Sequence, residues 1–223
     1  VTARFSHPYI KVFDEERELT VALLIDVSGS NEFGTRRQFK EDLMTEIAAV
    51  LAFSAVHNND KVGVIFFSDK VEKFIPPKKG LSHILRIIRE LIDFKPESQK
   101  TNIAEALRFL TNAMKKRCTA FLISDFIDAG FEDALKIAGR KHDLVALHIF
   151  DERDQELPDM GLVRLYSKET NESIWVDSSS KASRTQYRKH ALKRSGVDFA
   201  RIATSQDYVK PLLGLFKARE ARR

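Results

Sequence analysis

Four short runs of the chain are almost wholly apolar: residues 18–28 (ELTVALLIDVS), 61–69 (KVGVIFFSD), 118–126 (CTAFLISDF) and 143–151 (DLVALHIFD). A strand with one wet face alternates polar and apolar residues. A run without alternation is covered on both faces, which is the habit of parallel sheets flanked by helices. Segments of helical spacing separate these runs. From Thr35 to His57 the positions Phe39, Leu43, Ile47, Val50 and Ser54 fall on one helical face. Residues 81–93 do the same with Leu81, Ile84, Leu85, Ile88, Leu91 and Ile92. Helices are expected at 101–116, with Thr101 or Asn102 as the cap, and at 131–142. Residues 70–77 (KVEKFIPP) read as a hairpin partner or edge strand ended by two prolines.

This alternation predicts an α/β fold, a doubly wound, mostly parallel sheet flanked by helices. Residues 162–179 alternate apolar and polar around a polar turn and predict a β-hairpin added to that sheet. A basic helix (181–195), a short strand (197–202) and a final helix (206–219) complete the pattern. The 223 residues suit one large domain, placed at 18–223, with 1–17 as an N-terminal segment. The chain opens on Val1, so this segment reads as the end of a longer region. The single cysteine, Cys118, excludes an internal disulfide and fits a reducing compartment. No apolar stretch approaches the ~18 residues of a membrane span. A cytoplasmic location, free or peripheral to a membrane, is expected.

In doubly wound sheets, ligands bind beyond the carboxyl ends of the strands where the winding reverses. Asp26, Ser28 and Ser30 lie at the carboxyl end of the first core strand, in LLIDVSGSNEFG (23–34). Asp125 ends the strand 118–126. Thr101 begins a helix antiparallel to that strand, so it arrives at the same edge. The strands ending at Asp26 and Asp125 are expected to be neighbours. Two carboxylates and three hydroxyls are hard oxygen donors. They suit Mg²⁺, Mn²⁺ or Ca²⁺ and match zinc or copper poorly.

The pattern DVSGS with Thr101 and Asp125 resembles the metal-ion-dependent adhesion site of von Willebrand factor A domains. The resemblance implies that Ser28, Ser30 and Thr101 are direct ligands. It further implies that Asp26 and Asp125 act through water or hold the hydroxyls in place. A narrower resemblance spans nearly the whole chain, through TARFSHPYIKVFDEERELTVALLIDVSGS, FIPPKKG, LISDF, RKHDLVALHIFDERDQELPDMGLV and KETNE. These stretches are similar to the bacterial family called domain of unknown function fifty-eight. Genes of that family neighbour AAA+ ATPases of the MoxR type. The resemblance therefore implies a partner or adaptor of such an ATPase, reached through an Asp or Glu that the partner donates to the metal.

Bland readings stand beside these. Glu32 and Asp128 read as solvated loop carboxylates, residues 150–159 as a solvated acidic loop, His148 as a core residue and Cys118 as a buried structural thiol. No G-x-S-x-G elbow, Gly-Lys-Ser/Thr phosphate loop or G-x-G-x-x-G is present. The main expectation is a non-catalytic, metal-dependent protein-binding module. A metal-dependent phosphohydrolase using Asp26 and Lys100 is the alternative. The net charge of +5 keeps a basic nucleic-acid binder as a second one, although the basic runs 181–194 and 217–223 carry a single Phe, Tyr or Trp, Tyr187, and so no series of stacking aromatics.

Overall fold

The computed structural model describes residues 19–28, 38–128, 130–151, 162–167, 172–177, 192 and 195–222. The elements in chain order are β1 (Thr20–Asp26), α1 (Gln38–His57), β2 (Lys61–Phe67), β3 (Val71–Lys78), α2 (Leu81–Ile92), α3 (Ile103–Ala113), β4 (Thr119–Ser124), α4 (Glu132–Lys141), β5 (Asp143–Phe150), β6 (Leu162–Ser167), β7 (Glu172–Asp177), β8 (Asp198–Ala203) and α5 (Val209–Glu220). Six strands form one sheet in the order β3-β2-β1-β4-β5-β8. All neighbours are parallel except β3, which pairs antiparallel with β2 at the edge. The chain winds outward from β1 to β3, then returns to lay β4 on the other side of β1. The winding therefore reverses between β1 and β4, and the expected neighbourhood of these two strands is found.

The lack of alternation in the strands has a direct cause. Val21, Leu23 and Ile25 of β1 enter one core layer with α1, α2 and α5, while Ala22 and Leu24 enter the other with α3 and α4. Both faces bury apolar surface at roughly 25 cal/mol per Å². A polar side chain in the body of β1 therefore has no wet face to occupy. At its carboxyl end, Asp26 is the first polar side chain, and it is still buried.

Three local expectations need correction. On α1 the buried stripe is Leu43, Met44, Ile47, Ala48, Leu51, Ala52 and Ala55, while Val50 and Ser54 point outward. The stripe is centred on Met44, Leu51 and Ala55, roughly a quarter-turn or more round the helix from positions 50 and 54. On α2 the buried side chains are Ile84 and Ile87, with Ile88 and Leu91 partly covered; Leu81, Leu85 and Ile92 are exposed. The two prolines do not end the edge strand but lie inside it, where a missing N–H costs no ladder bond. Pro77 packs so closely on Gly63 that a Cβ there would meet its Cγ at 2.8 Å. The ladder between β2 and β3 shifts register at this point.

The expected hairpin is present as β6 paired with β7, a separate two-stranded sheet. The basic helix expected at 181–195 lies outside the described residues except for Leu192 and Ser195, as does most of the acidic loop 150–159. At the far end of the sheet, Arg219 of α5 donates to Asp143 at 2.6 Å and to Asp198 at 2.9 Å, pinning the last helix across β5 and β8.

Candidate functional site

Asp26, Ser28, Thr101 and Asp125 come together at the carboxyl edge of the sheet, where the winding reverses. Ser30 and Glu32 lie outside the described residues. The hydroxyl of Thr101 donates to the Ser28 hydroxyl at 2.7 Å, although 73 residues separate them. Asp26 holds the first loop in shape: its Oδ1 accepts the Ser28 N–H at 3.1 Å. Its Oδ2 accepts the Ser124 hydroxyl at 2.6 Å. Asp26 is 2 % exposed, Ser28 1 % and Asp125 1 %.

The position of Thr101 is over-determined. Its neighbour Asn102 donates its N–H to the Ser68 carbonyl at 2.8 Å, tying the loop to the end of β2. Asn102, not Thr101, caps α3, with its Oδ1 accepting the Glu105 N–H at 3.0 Å. Asp128 is not the solvated carboxylate expected from its place in a polar loop. Its Oδ2 accepts the Ile103 N–H at 2.8 Å, satisfying one of the orphan donors of α3 and joining the two loops of the site.

Asp125 sits in a tight turn. Its Oδ1 accepts the Ile127 N–H at 3.0 Å. The next residue, Phe126, is fully buried at φ 56°, a left-handed conformation that disfavours a bulky side chain. Its ring packs against Phe131 and His148, and its N–H donates to the Ser124 hydroxyl at 2.9 Å. The surrounding structure thus holds a strained residue in place directly beside Asp125. The remaining oxygen, Asp125 Oδ2, is buried and has no hydrogen-bond partner among the described residues. Lys40 Nζ of α1 lies 3.6 Å from it, and Lys40 is 6 % exposed.

Asp26 shares this edge with a second buried carboxylate. Burial above all, then the charge of Asp125, pushes the Asp26 carboxyl up from 3.8 to about 7, against the opposing pull of its bonds to Ser124 and Ser28. A cation between them would relieve this. The donor set fits a hard one, since hydroxyl and carboxylate oxygens dominate it. Among the described residues no group of three or more His, Cys, Asp or Glu is placed to hold a metal.

Two residues of this arrangement escaped the sequence reading. Ser124 could have been found from its place immediately before Asp125 at a strand end. Lys40 could have been found because it stands on the stripe of Leu43, Met44 and Ile47, where a charge is out of place. Elsewhere the bland readings hold: His148 is buried in β5 and Cys118 is buried. Cys118 Sγ does lie 3.3 Å from His142 Nδ1. Burial pushes the thiol up to about 11 and the imidazole down, the reverse of what a nucleophilic thiolate–imidazolium pair requires.

Residues 1–196 match the family described as Protein of unknown function DUF58. The chain belongs to this family. Among curated proteins, the uncharacterized protein Rv1480 of Mycobacterium tuberculosis is 30 % identical over 173 residues, 76 % of this chain and 55 % of its own length. The chain thus spans about half the length of the curated relatives it matches. Among solved structures, the conserved hypothetical protein BatB from Bacteroides thetaiotaomicron superposes with a TM-score of 0.60 at 16 % identity, over 92 % of this chain and 100 % of BatB. An aerotolerance-related membrane protein from Bacteroides fragilis also gives 0.60 at 16 % identity, over 89 % and 99 % of the two chains. At such identity the likeness speaks for the fold alone. This DUF58 chain has a Rossmann-like von Willebrand factor A fold, and among its described residues no helix is long and apolar enough to cross a membrane.

Proposed function

We propose that this DUF58 domain is a non-catalytic protein-binding module whose interaction depends on a divalent metal at the β1–β4 switch point. The observation that carries the reading is the 2.7 Å bond between Thr101 and Ser28, set beside the buried Asp26 and an Asp125 Oδ2 that accepts no hydrogen bond from the described residues. Four hard oxygen donors from three separate segments are gathered at the edge where this fold places ligands. Ser28, Ser30 and Thr101 would hold the ion, with Asp26 and Asp125 acting through water or by fixing the hydroxyls. Mg²⁺ or Mn²⁺, or Ca²⁺, are the ions such donors favour. A bound ion would supply an electrophilic position for a carboxylate from another protein.

The resemblance to the family whose genes neighbour MoxR-type AAA+ ATPases makes such an ATPase the first partner to test. The contact at the ion is small, so flanking surface must add affinity. The phosphohydrolase reading draws no support from the geometry. Asp26 is buried with both oxygens engaged, and Lys100 is exposed.

The test is a melting-temperature series with Mg²⁺, Mn²⁺ and Ca²⁺ against EDTA. Binding to the native state adds roughly 2.7 kcal/mol at a hundredfold excess over Kd. Wild type should gain this stabilisation, and Ser28→Ala, Thr101→Ala and Asp125→Ala should fold and lose most of it. Equal shifts in all four proteins would remove the metal from the account. Capture of the ATPase should then fail in EDTA and in Ser30→Ala. Capture undiminished by EDTA would place the partner on another face.

A further inference from the structure

Lys40 is a buried charge that the proposed function does not use. It lies in the first turns of α1, on the stripe that enters the core, and is 6 % exposed. Taking an ammonium out of water costs several kcal/mol unless a counter-charge compensates. Asp125 Oδ2 is 3.6 Å away, close enough for charge attraction and too far for a tight hydrogen bond. That same oxygen has no hydrogen-bond partner among the described residues. The ammonium therefore leans on Asp125 electrostatically without saturating it.

We propose that Lys40 is an internal counter-ion of the metal position: its ammonium partners Asp125 when the divalent ion is absent, and the arriving ion takes over that carboxylate. This rests on the metal reading of the site. A dication drawn to Asp125 meets a like charge held nearby in a medium poorer than water at screening it. Lys40 thus lowers the affinity for the ion and stabilises the metal-free site by offsetting the charge of Asp125. The residue sets how easily the module is switched by the available cation. Lys40→Arg retains the charge and should retain the behaviour. Lys40→Met retains the apolar stem and removes the charge.

The experiment is calorimetric titration of Mn²⁺ and Mg²⁺ into wild type, Lys40→Met and Lys40→Arg at pH 8, with melting temperatures measured in EDTA. Lys40→Met should bind Mn²⁺ roughly tenfold or more tightly than wild type, by loss of a neighbouring like charge. It should also melt lower in EDTA and show the larger metal-induced rise. Lys40→Arg should stay within about threefold of wild type on the same grounds. A Lys40→Met variant that folds only when Mn²⁺ is added also supports the exchange. If Lys40→Met folds under neither condition, Lys40→Gln is held to the same criterion. Wild-type binding with equal or weaker binding in the uncharged variant overturns this inference and leaves the metal site standing. No binding by any of the proteins overturns both. Binding by Lys40→Met alone would show that the ammonium fills the ion's role permanently in wild type, which overturns the exchange.

Discussion

Replacing Asp26 by asparagine should stabilise the metal-free protein above neutral pH, although it alters a buried residue at the centre of the site. Burial and the Asp125 charge raise the Asp26 carboxyl from 3.8 to about 7. A raised carboxyl means that the folded state holds a proton the unfolded state has released. Stability from this group is therefore complete below about pH 4 and is lost as the pH climbs toward 7. The interval between 3.8 and about 7, at ~1.4 kcal/mol per pH unit, makes the loss on the order of 4 kcal/mol at pH 8. Asparagine carries no charge to bury. Its oxygen can still accept the Ser28 N–H, and its amide can donate to the Ser124 hydroxyl in place of accepting from it. Allowing about 1 kcal/mol for each disturbed hydrogen bond leaves a net gain of about 2 kcal/mol.

For a chain of this size that gain is a rise of roughly 4–8 °C in melting temperature. The assay is thermal unfolding in EDTA at pH 5 and pH 8. Asp26→Asn should melt higher than wild type at pH 8 and lose the advantage at pH 5, where wild-type Asp26 is protonated. With Mg²⁺ or Mn²⁺ present the order should reverse, because the ion rewards the carboxylate pair and wild type alone gains. A variant that melts below wild type by the same amount at both pH values would refute the charge-burial account. Asp26 would then act through its hydrogen bonds only, with no repulsion for a cation to relieve.

Other outcomes follow from single contacts. Ser124→Ala removes the 2.6 Å donor to Asp26 and the acceptor for Phe126 N–H, and should cost about 1–3 kcal/mol in urea unfolding. Asp128→Ala strips an N-terminal acceptor from α3 and should cost about 1 kcal/mol by the same measurement. Gly63→Ala places a Cβ 2.8 Å from Pro77 and should destabilise by about 1–3 kcal/mol, with partial recovery in the Gly63→Ala, Pro77→Ala double variant. Cys118, with its thiol pushed up to about 11, should label with a thiol reagent at pH 8 far more slowly in the native protein than in urea.

The sheet was legible because its strands bury both faces. A side chain in β1, β2, β4 or β5 enters one of two apolar layers whichever way it points, so an unbroken apolar run is what such a strand has to be made of. The helices were legible as elements and less so as faces. Val50 of α1 and Leu81, Leu85 and Ile92 of α2 are apolar yet exposed. Apolar residues on a surface are common, so the hydrophobics of a helix extend beyond its buried stripe. Only the position of the sheet decides which of them are covered.

The site was legible where one residue type at one strand end carried the signal, and obscure where two long-range partners had to be paired. Asp26, Ser28, Thr101 and Asp125 are convergent because a reversal of winding brings β1 and β4 together, and reversal follows from connection rules. The roles of Ser124, Lys40 and Asp128 follow from no such rule. Each depends on a contact across 25 to 98 residues: Ser124 to Asp26, Lys40 to Asp125, Asp128 to the first N–H of α3. Asp128 shows the cost most plainly, because a carboxylate in a polar loop resembles a solvated one until a helix end is placed over it. Lys40 shows the remedy. A lysine on a core stripe requires a buried acid nearby, and two strand-end aspartates at the same edge were already in view. Charge balance can therefore link residues that spacing leaves apart, and it connects α1 to the site before any coordinate does.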